Sequence, residues 1–141
     1  MGTFSSFDIS ASGINAQRTR MDVIANNIAN ADSTRTASGG PYRRQQVSFK
    51  EAYANANAIG NKSVPAGVNV QSITEDPTDY RLVYDPGHPD ADSTGYVKMP
   101  NVNVVEEMVD MVSATRAYEA NVTVLNATKS MISSAIEIGR G

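Results

Sequence analysis

The chain has no cysteine and no tryptophan, a single histidine, and aromatic side chains at only 6% of its 141 positions. Without cysteine there are no disulfides and no thiolate metal sites, and neither a reducing nor an oxidising compartment is favoured. With His88 as the one imidazole, a Ser/His/Asp relay or a two-histidine metal site would have to be built in DPGHPDAD, where Pro86, Gly87 and Pro89 flank it. That setting predicts a rigid turn whose imidazole caps or faces solvent. A small hydrolase using His88 stays open as a competing reading, although no phosphate loop, nucleophile elbow or dinucleotide fingerprint accompanies it. No run approaches the roughly eighteen apolar residues of a spanning helix, so direct membrane insertion is not expected. The opening MGTFSSFDISASGINAQ has no basic n-region, no continuous apolar core and no small-residue cleavage site, so a cleaved secretory signal is not expected either.

Charge is divided along the chain. Residues 1–50 hold six Lys/Arg against three Asp/Glu, a net of +3, and residues 51–141 hold six against twelve, a net of −6. Neither half has the dense basic stripe that a phosphate backbone needs, which argues against nucleic acid as a partner. Apolar residues make up 40% of the sequence and gather toward the two ends, unlike the even spread of a compact enzyme.

The C-terminal stretch carries the strongest pattern. From Val104, steps of four and three pass through Met108, Met111, Thr115, Tyr118, Val122, Leu125, Lys129, Ile132 and Ile136, the spacing of a coiled-coil strand. Asn103 with Glu106 predicts a capping box at the start, and Gly139 predicts the end. On the opposite flank Ala117, Val124, Thr128, Met131, Ala135 and Ile138 form a second seam. One partner helix cannot cover both, and Lys129 is the only charged side chain between Ala120 and Ile136. Periodicity alone suits a core helix of a closed bundle as well as a helix shared between chains. A second helix is predicted over residues 4–31, with Phe4, Phe7, Ala11, Ile14, Met21, Ile24, Ile28 and Ala31 on one stripe, Ser5 and Asp8 as a capping pair, and Gly13 as a weak point costing about 1 kcal/mol against alanine. In ANNIANADS, Asn26, Asn27 and Asn30 are mediocre helix formers near a helix end, read either as fraying or as groups satisfied by neighbouring chains.

Between the helices, Gly and Pro punctuate short runs at 42–49, 67–73, 79–84 and 96–99 that predict strands, and residues 50–63, rich in Ala and Asn, predict a short helical turn and loop. DADSTG, from Asp90 to Gly95, matches the first half of a calcium loop, but its twelfth position is Asn101 rather than a bidentate Glu. A calcium-dependent surface binding module centred on Asp90 and Asp92 is the alternative function.

Taken together, ANNIANADS, RLVYDPGHPDAD and PNVNVVEEMVDMVSATRAYEANVTVLNATKSM resemble the bacterial flagellar axial family over most of the chain. ANNIAN marks its rod and hook members generally, VEEMVDM with RAYEAN narrows the resemblance to the flagellar basal-body rod proteins, and the DPGHPDAD turn favours a proximal-rod branch. The resemblance implies a structural, non-enzymatic and cofactor-free subunit of the periplasmic rod, exported through the flagellar type III apparatus with an uncleaved N-terminus. Its partners would be other rod proteins, copies of itself, and the adjoining ring and hook components of the basal body. The expected fold is mainly α with a small β insert: long terminal helices (1–33 and 103–141) pairing as an antiparallel coiled coil around a β-rich segment (34–102). Phe7, Ile14, Met21, Ile24 and Ile28 are expected to pack with Met108, Met111, Tyr118, Val122, Leu125 and Ile132. Val124, Met131 and Ile138, with Asn26, Asn27 and Asn30, are expected to meet neighbouring subunits.

Overall fold

Two long helices bracket two antiparallel hairpins in the computed structural model, which describes residues 3–37, 39–55 and 63–140. In chain order the elements are α1 (Thr3–Ala29), β1 (Gln45–Asn55), β2 (Ser63–Glu75), β3 (Arg81–Tyr84), β4 (Tyr96–Met99) and α2 (Val104–Ile138). Helix α2 begins where expected. Asn103 is extended, and its Oδ1 accepts the Val105 N–H at 3.1 Å, which satisfies one of the free amides of the first turn. It ends at Gly139, whose φ of −75° makes no use of glycine's left-handed freedom. Helix α1 starts at Thr3, so Ser5 and Asp8 lie inside its first turns and do not frame its start.

The helices pack against each other in opposite directions. Asn27 meets Glu107, Arg20 meets Asp110, Met21 meets Thr115 and Gly13 meets Asn121, so position rises along α2 as it falls along α1. A Cβ on Gly13 would stand 3.0 Å from Asn121 Oδ1, and this close approach explains a glycine in a helix interior. With 35 residues against 27, α2 is longer by about 12 Å at 1.5 Å per residue, and its last turns are exposed.

The phase of the contact differs from the hydrophobic pattern. One row of α2, Met111, Tyr118, Leu125 and Ile132, is half-buried. The other is Glu107, Ala114, Asn121 and Thr128, spaced by sevens, with Glu107, Ala114 and Thr128 fully buried. Thr128 therefore belongs to the face on α1, not to a second flank. Helix α1 answers with Ser10, Ala16, Val23, Ile24 and Asn27, all buried. Small and polar residues line the closest approach because only they let two backbones come so near.

β1 and β2 pair from Gln45↔Glu75 to Asn55↔Ser63, with shifts in register after Ser48 and after Ala52. The strand expected at 42–49 instead runs on to Asn55, and the expected helical turn at 50–63 is corrected for its first half; residues 56–62 lie outside the described residues. Lys50↔Asn69, Glu51↔Val68 and Ala52↔Gly67 supply the pairing that alanine's own helical preference opposes. The hairpin lies along α1. At Gly67, with φ +117°, a Cβ would fall 2.1 Å from Ser12 Oγ, which accepts the Val68 N–H at 3.1 Å. The second hairpin pairs Arg81↔Met99 to Tyr84↔Tyr96, and Val97 is its one buried residue.

Candidate functional site

Where α1 ends, α2 begins and the long hairpin is rooted, the chain builds a buried polar junction. Glu107 and Asn27 are each only 1% exposed. The Asn27 amide fills both donor and both acceptor positions. Its Nδ2 donates to the Gln45 carbonyl (2.9 Å) and to Glu107 Oε2 (3.0 Å), and its Oδ1 accepts the Gln45 N–H (2.9 Å) and the Tyr42 hydroxyl (2.9 Å). A helix side chain thus pairs with the first residue of β1 as another strand would. Arg44 Nε donates to Glu107 Oε1 at 2.6 Å, and the guanidinium also faces Asp76 at 3.3 Å and Asp110 at 3.8 Å. Asp110 takes Arg20 of α1 at 2.8 Å. Asn101 closes the ring. Its Oδ1 accepts the Arg44 N–H (2.8 Å) and its Nδ2 donates to Thr78 Oγ1 (2.9 Å) and the Asp76 carbonyl (3.2 Å).

The electrostatics follow from this packing. Burial works against the Arg44 charge, but hydrogen bonds and charge from Glu107 and then Asp76 outweigh it and raise its pKa. Hydrogen bonds from the Thr78 hydroxyl and amide, helped by Arg44, hold Asp76 below the ordinary 3.8. Burial, with the negative charge of Glu107 and Glu75, pushes the Tyr42 phenol upward and keeps it a neutral donor. Each charge in the junction is paired, and together the pairs hold four chain segments in register.

The expected site residues are placed as follows. Ile24 is buried, and Ile14, Met21, Ile28, Met111, Tyr118, Val122, Leu125 and Ile132 are half-buried. Met108 is 58% exposed, which corrects its placement in the intramolecular seam: Glu107 takes the inward position, and the next residue is turned about 100° away. Phe7, near the open end of the pair, is also exposed. Asn27 is corrected too, because every polar position of its amide is used within the chain. Asn30 Nδ2 donates to the Asn26 carbonyl (2.9 Å) and Oδ1 (3.0 Å), closing the end of α1, and Asn26 reaches Tyr42 at 3.4 Å. All three asparagines therefore have partners inside the chain. Val124 and Met131 are exposed, and Ile138 is 82% exposed. Sequence reasoning did not single out Arg44, Asp76 or Glu107 and met Asn101 only as the twelfth position of the calcium-loop pattern; Asn26, Asn27 and Asn30 were the only visible signal.

In the DPGHPDAD turn the carboxylates are used locally. Asp90 accepts Thr34 Oγ1 (2.8 Å) and Arg35 (2.6 Å), tying the turn to the segment after α1. Asp92 Oδ1 accepts Thr94 N–H (2.8 Å), Thr94 Oγ1 (2.6 Å) and Tyr96 N–H (3.0 Å), and His88 Nδ1 accepts the Asp90 N–H at 3.1 Å. Those bonds account for the turn without a cation, and nothing supports the calcium module.

Residues 7–35, covering most of α1 and the turn after it, match the family model described as Flagella basal body rod protein. Residues 93–138, covering β4 and α2, match the one described as Flagellar basal body rod FlgEFG protein C-terminal. The chain is 50% identical to the flagellar basal-body rod protein FlgC of Borreliella burgdorferi, with all of both chains covered. It is 49% identical to the FlgC of Bacillus subtilis and 46% identical to that of Salmonella typhimurium, each over 99% of this chain and 100% of the relative. Identity at this level over the full length shows that the chain belongs to the FlgC family of flagellar basal-body rod proteins.

Proposed function

We propose that this structural subunit of the bacterial flagellar basal-body rod enters the rod through its two terminal helices, which pair as an antiparallel coiled coil and pack side by side with those of neighbouring subunits. The observation that carries the reading is the surface left on α2 once α1 is in place. Beside the covered rows run two more rows spaced by sevens, Met108, Thr115, Val122, Lys129 and Ile136 on one flank and Ala117, Val124, Met131 and Ile138 on the other, and of these Met108, Ile136, Val124, Met131 and Ile138 are exposed large apolar side chains. In a coiled coil these are the positions flanking the seam, and apolar residues there suit a helix shared among several neighbours. Exposed apolar surface on this scale marks a place where another protein binds.

The mechanism is mechanical. Torque passes between subunits through many close-packed contacts that resist shear, and the polar junction keeps the hairpins fixed to the turning helices. The terminal segments 1–33 and 103–141 form the assembling layer and residues 34–102 lie outside it. Delivery by the type III export apparatus to a periplasmic rod, and contacts to adjoining rod, ring and hook components, belong to the same reading. Single cysteines at Val124 or Met131 test it: they are expected to react with a thiol reagent in the monomer and to become protected, or to crosslink to a neighbour, after assembly. Equal reactivity before and after assembly would exclude this flank from the interface.

A further inference from the structure

The start of α2 presents a second uncovered surface, on the side turned away from α1. Val105 and Val109 are 69% and 66% exposed, and Val112, one turn on, is exposed as well. Together with Arg44, Glu106 and Asp110, the first two line a recess of about 350 Å³. Arg44 and Asp110 are held in the junction, whereas Glu106 makes none of the ion pairs found among the described residues. The recess is therefore lined by two exposed valines and by three charged groups, of which the Glu106 carboxylate alone is outside the ion pairs among the described residues. At the far end of the same helix stands Ile138, the most exposed of the large apolar side chains, with Arg140 two residues on and also outside those ion pairs. Each end sets an exposed apolar side chain beside a charge, and the two charges are opposite, yet Val109 and Ile138 are separated by about 43 Å of continuous helix, so they cannot meet within one chain.

We propose that they meet between copies: the C-terminal turn of α2 in one subunit, Ile138 with Arg140, seats in the Val105/Val109/Glu106 recess of a second copy of this chain. The inference rests on the rod reading and adds a head-to-tail contact to the side-by-side one. Like-with-like pairing is disfavoured at both ends, since it would bring Glu106 against Glu106 or Arg140 against Arg140. A contact between two different surfaces does not close on itself as a dimer does; it propagates, as a ring or as a helical array.

Because the chain has no cysteine, the contact can be tested with single introduced thiols. Chains carrying Val109→Cys and Ile138→Cys, mixed under assembling conditions and treated with a short bismaleimide, should give about tenfold more dimer than either variant alone. A chain carrying both should give a ladder. Both positions are exposed, so the monomer's fold is not at stake. Glu106→Lys should lower the mixed dimer about twofold to fivefold, the range of a solvent-exposed pair, and adding Arg140→Glu should restore it. A mixed dimer no more abundant than the like-with-like dimers overturns the head-to-tail contact. If Val124→Cys and Met131→Cys are still protected on assembly in that case, the side-by-side packing stands and this contact alone falls; if they are not, both contacts fall.

Discussion

At the end of the helical pair where α2 begins, a carboxylate and an amide are among the most deeply buried side chains, and four segments of the chain meet on them. At the end where α2 finishes, no described residue beyond Ile132 is even half-buried, and Met131, Ile136 and Ile138 stand exposed among polar side chains. The first end completes itself; the second does not. Folding needs the junction, because without it two hairpins and two long helices would share little apolar core: among the described residues seven hydrophobic side chains are fully buried. Assembly needs the other end left unfinished, since apolar surface that a chain covers for itself is not available to a neighbour.

The comparison breaks most readily at Arg44. Arg44→Ala leaves the buried Glu107 carboxylate with only the Asn27 amide, and an uncompensated buried charge costs about 3–5 kcal/mol. Urea denaturation of the monomer should show a loss of that size. Glu107→Gln in the Arg44→Ala background should recover part of it, because the buried charge is then gone. A loss below about 1 kcal/mol would mean that the junction is ornamental to folding.

Gly67→Ala comes next. It combines a positive φ with a Cβ placed against Ser12 Oγ, so the hairpin must lift from α1, at an expected cost of about 2–3 kcal/mol. Amide exchange should quicken in β2 around Val68 while α2 near Leu125 stays unchanged. Equal quickening along α2 would show that hairpin and helices open as one unit.

These sites also show what was legible beforehand. The two helices, the insert of short strands and the row Met111, Tyr118, Leu125 and Ile132 could be read from periodicity, since that row is apolar and recurs by sevens. Its companion row could not. Glu107, Ala114, Asn121 and Thr128 recur by sevens just as strictly, but they are there for small size or for a hydrogen bond, and a hydrophobic pattern passes over them. Arg44 and Glu107 are 63 residues apart, and a pairing at that distance leaves no local trace. Residues 50–55 were misread for a related reason: the partner strand, not the local sequence, makes them extended.

A smaller effect should appear with pH. Asp76 has a folded pKa below its ordinary 3.8, so its contribution is present above that value and is lost as pH falls through the depressed folded one. Its partners are only partly shielded from water, which limits the effect to about 1 kcal/mol. The wild-type chain should therefore be more stable than Asp76→Asn at pH 6, and the two should converge as the acid limit is approached. A gap that widened on acidification would mean that the carboxylate's bonds to Thr78 and Arg44 are not what holds it.

The smallest effect on the monomer, and the sharpest form of the comparison, belongs to Met131. Its side chain is exposed, so Met131→Ser removes little packing, and a surface substitution of this kind is expected to change monomer stability by less than about 0.5 kcal/mol. If the side-by-side packing proposed above holds, the same substitution deletes an apolar contact from a row that repeats in each subunit, so a modest loss per contact is multiplied over the assembly. Urea denaturation should then leave the variant indistinguishable from the wild type, while recovery of rod-containing basal bodies falls. Paired with Arg44→Ala, it separates two kinds of residue on one chain: those the subunit needs in order to exist and those it needs in order to be joined. If Met131→Ser unfolded the monomer as readily as it blocked assembly, the far end of α2 would be part of a closed core, and the distinction between a finished and an unfinished end would be lost.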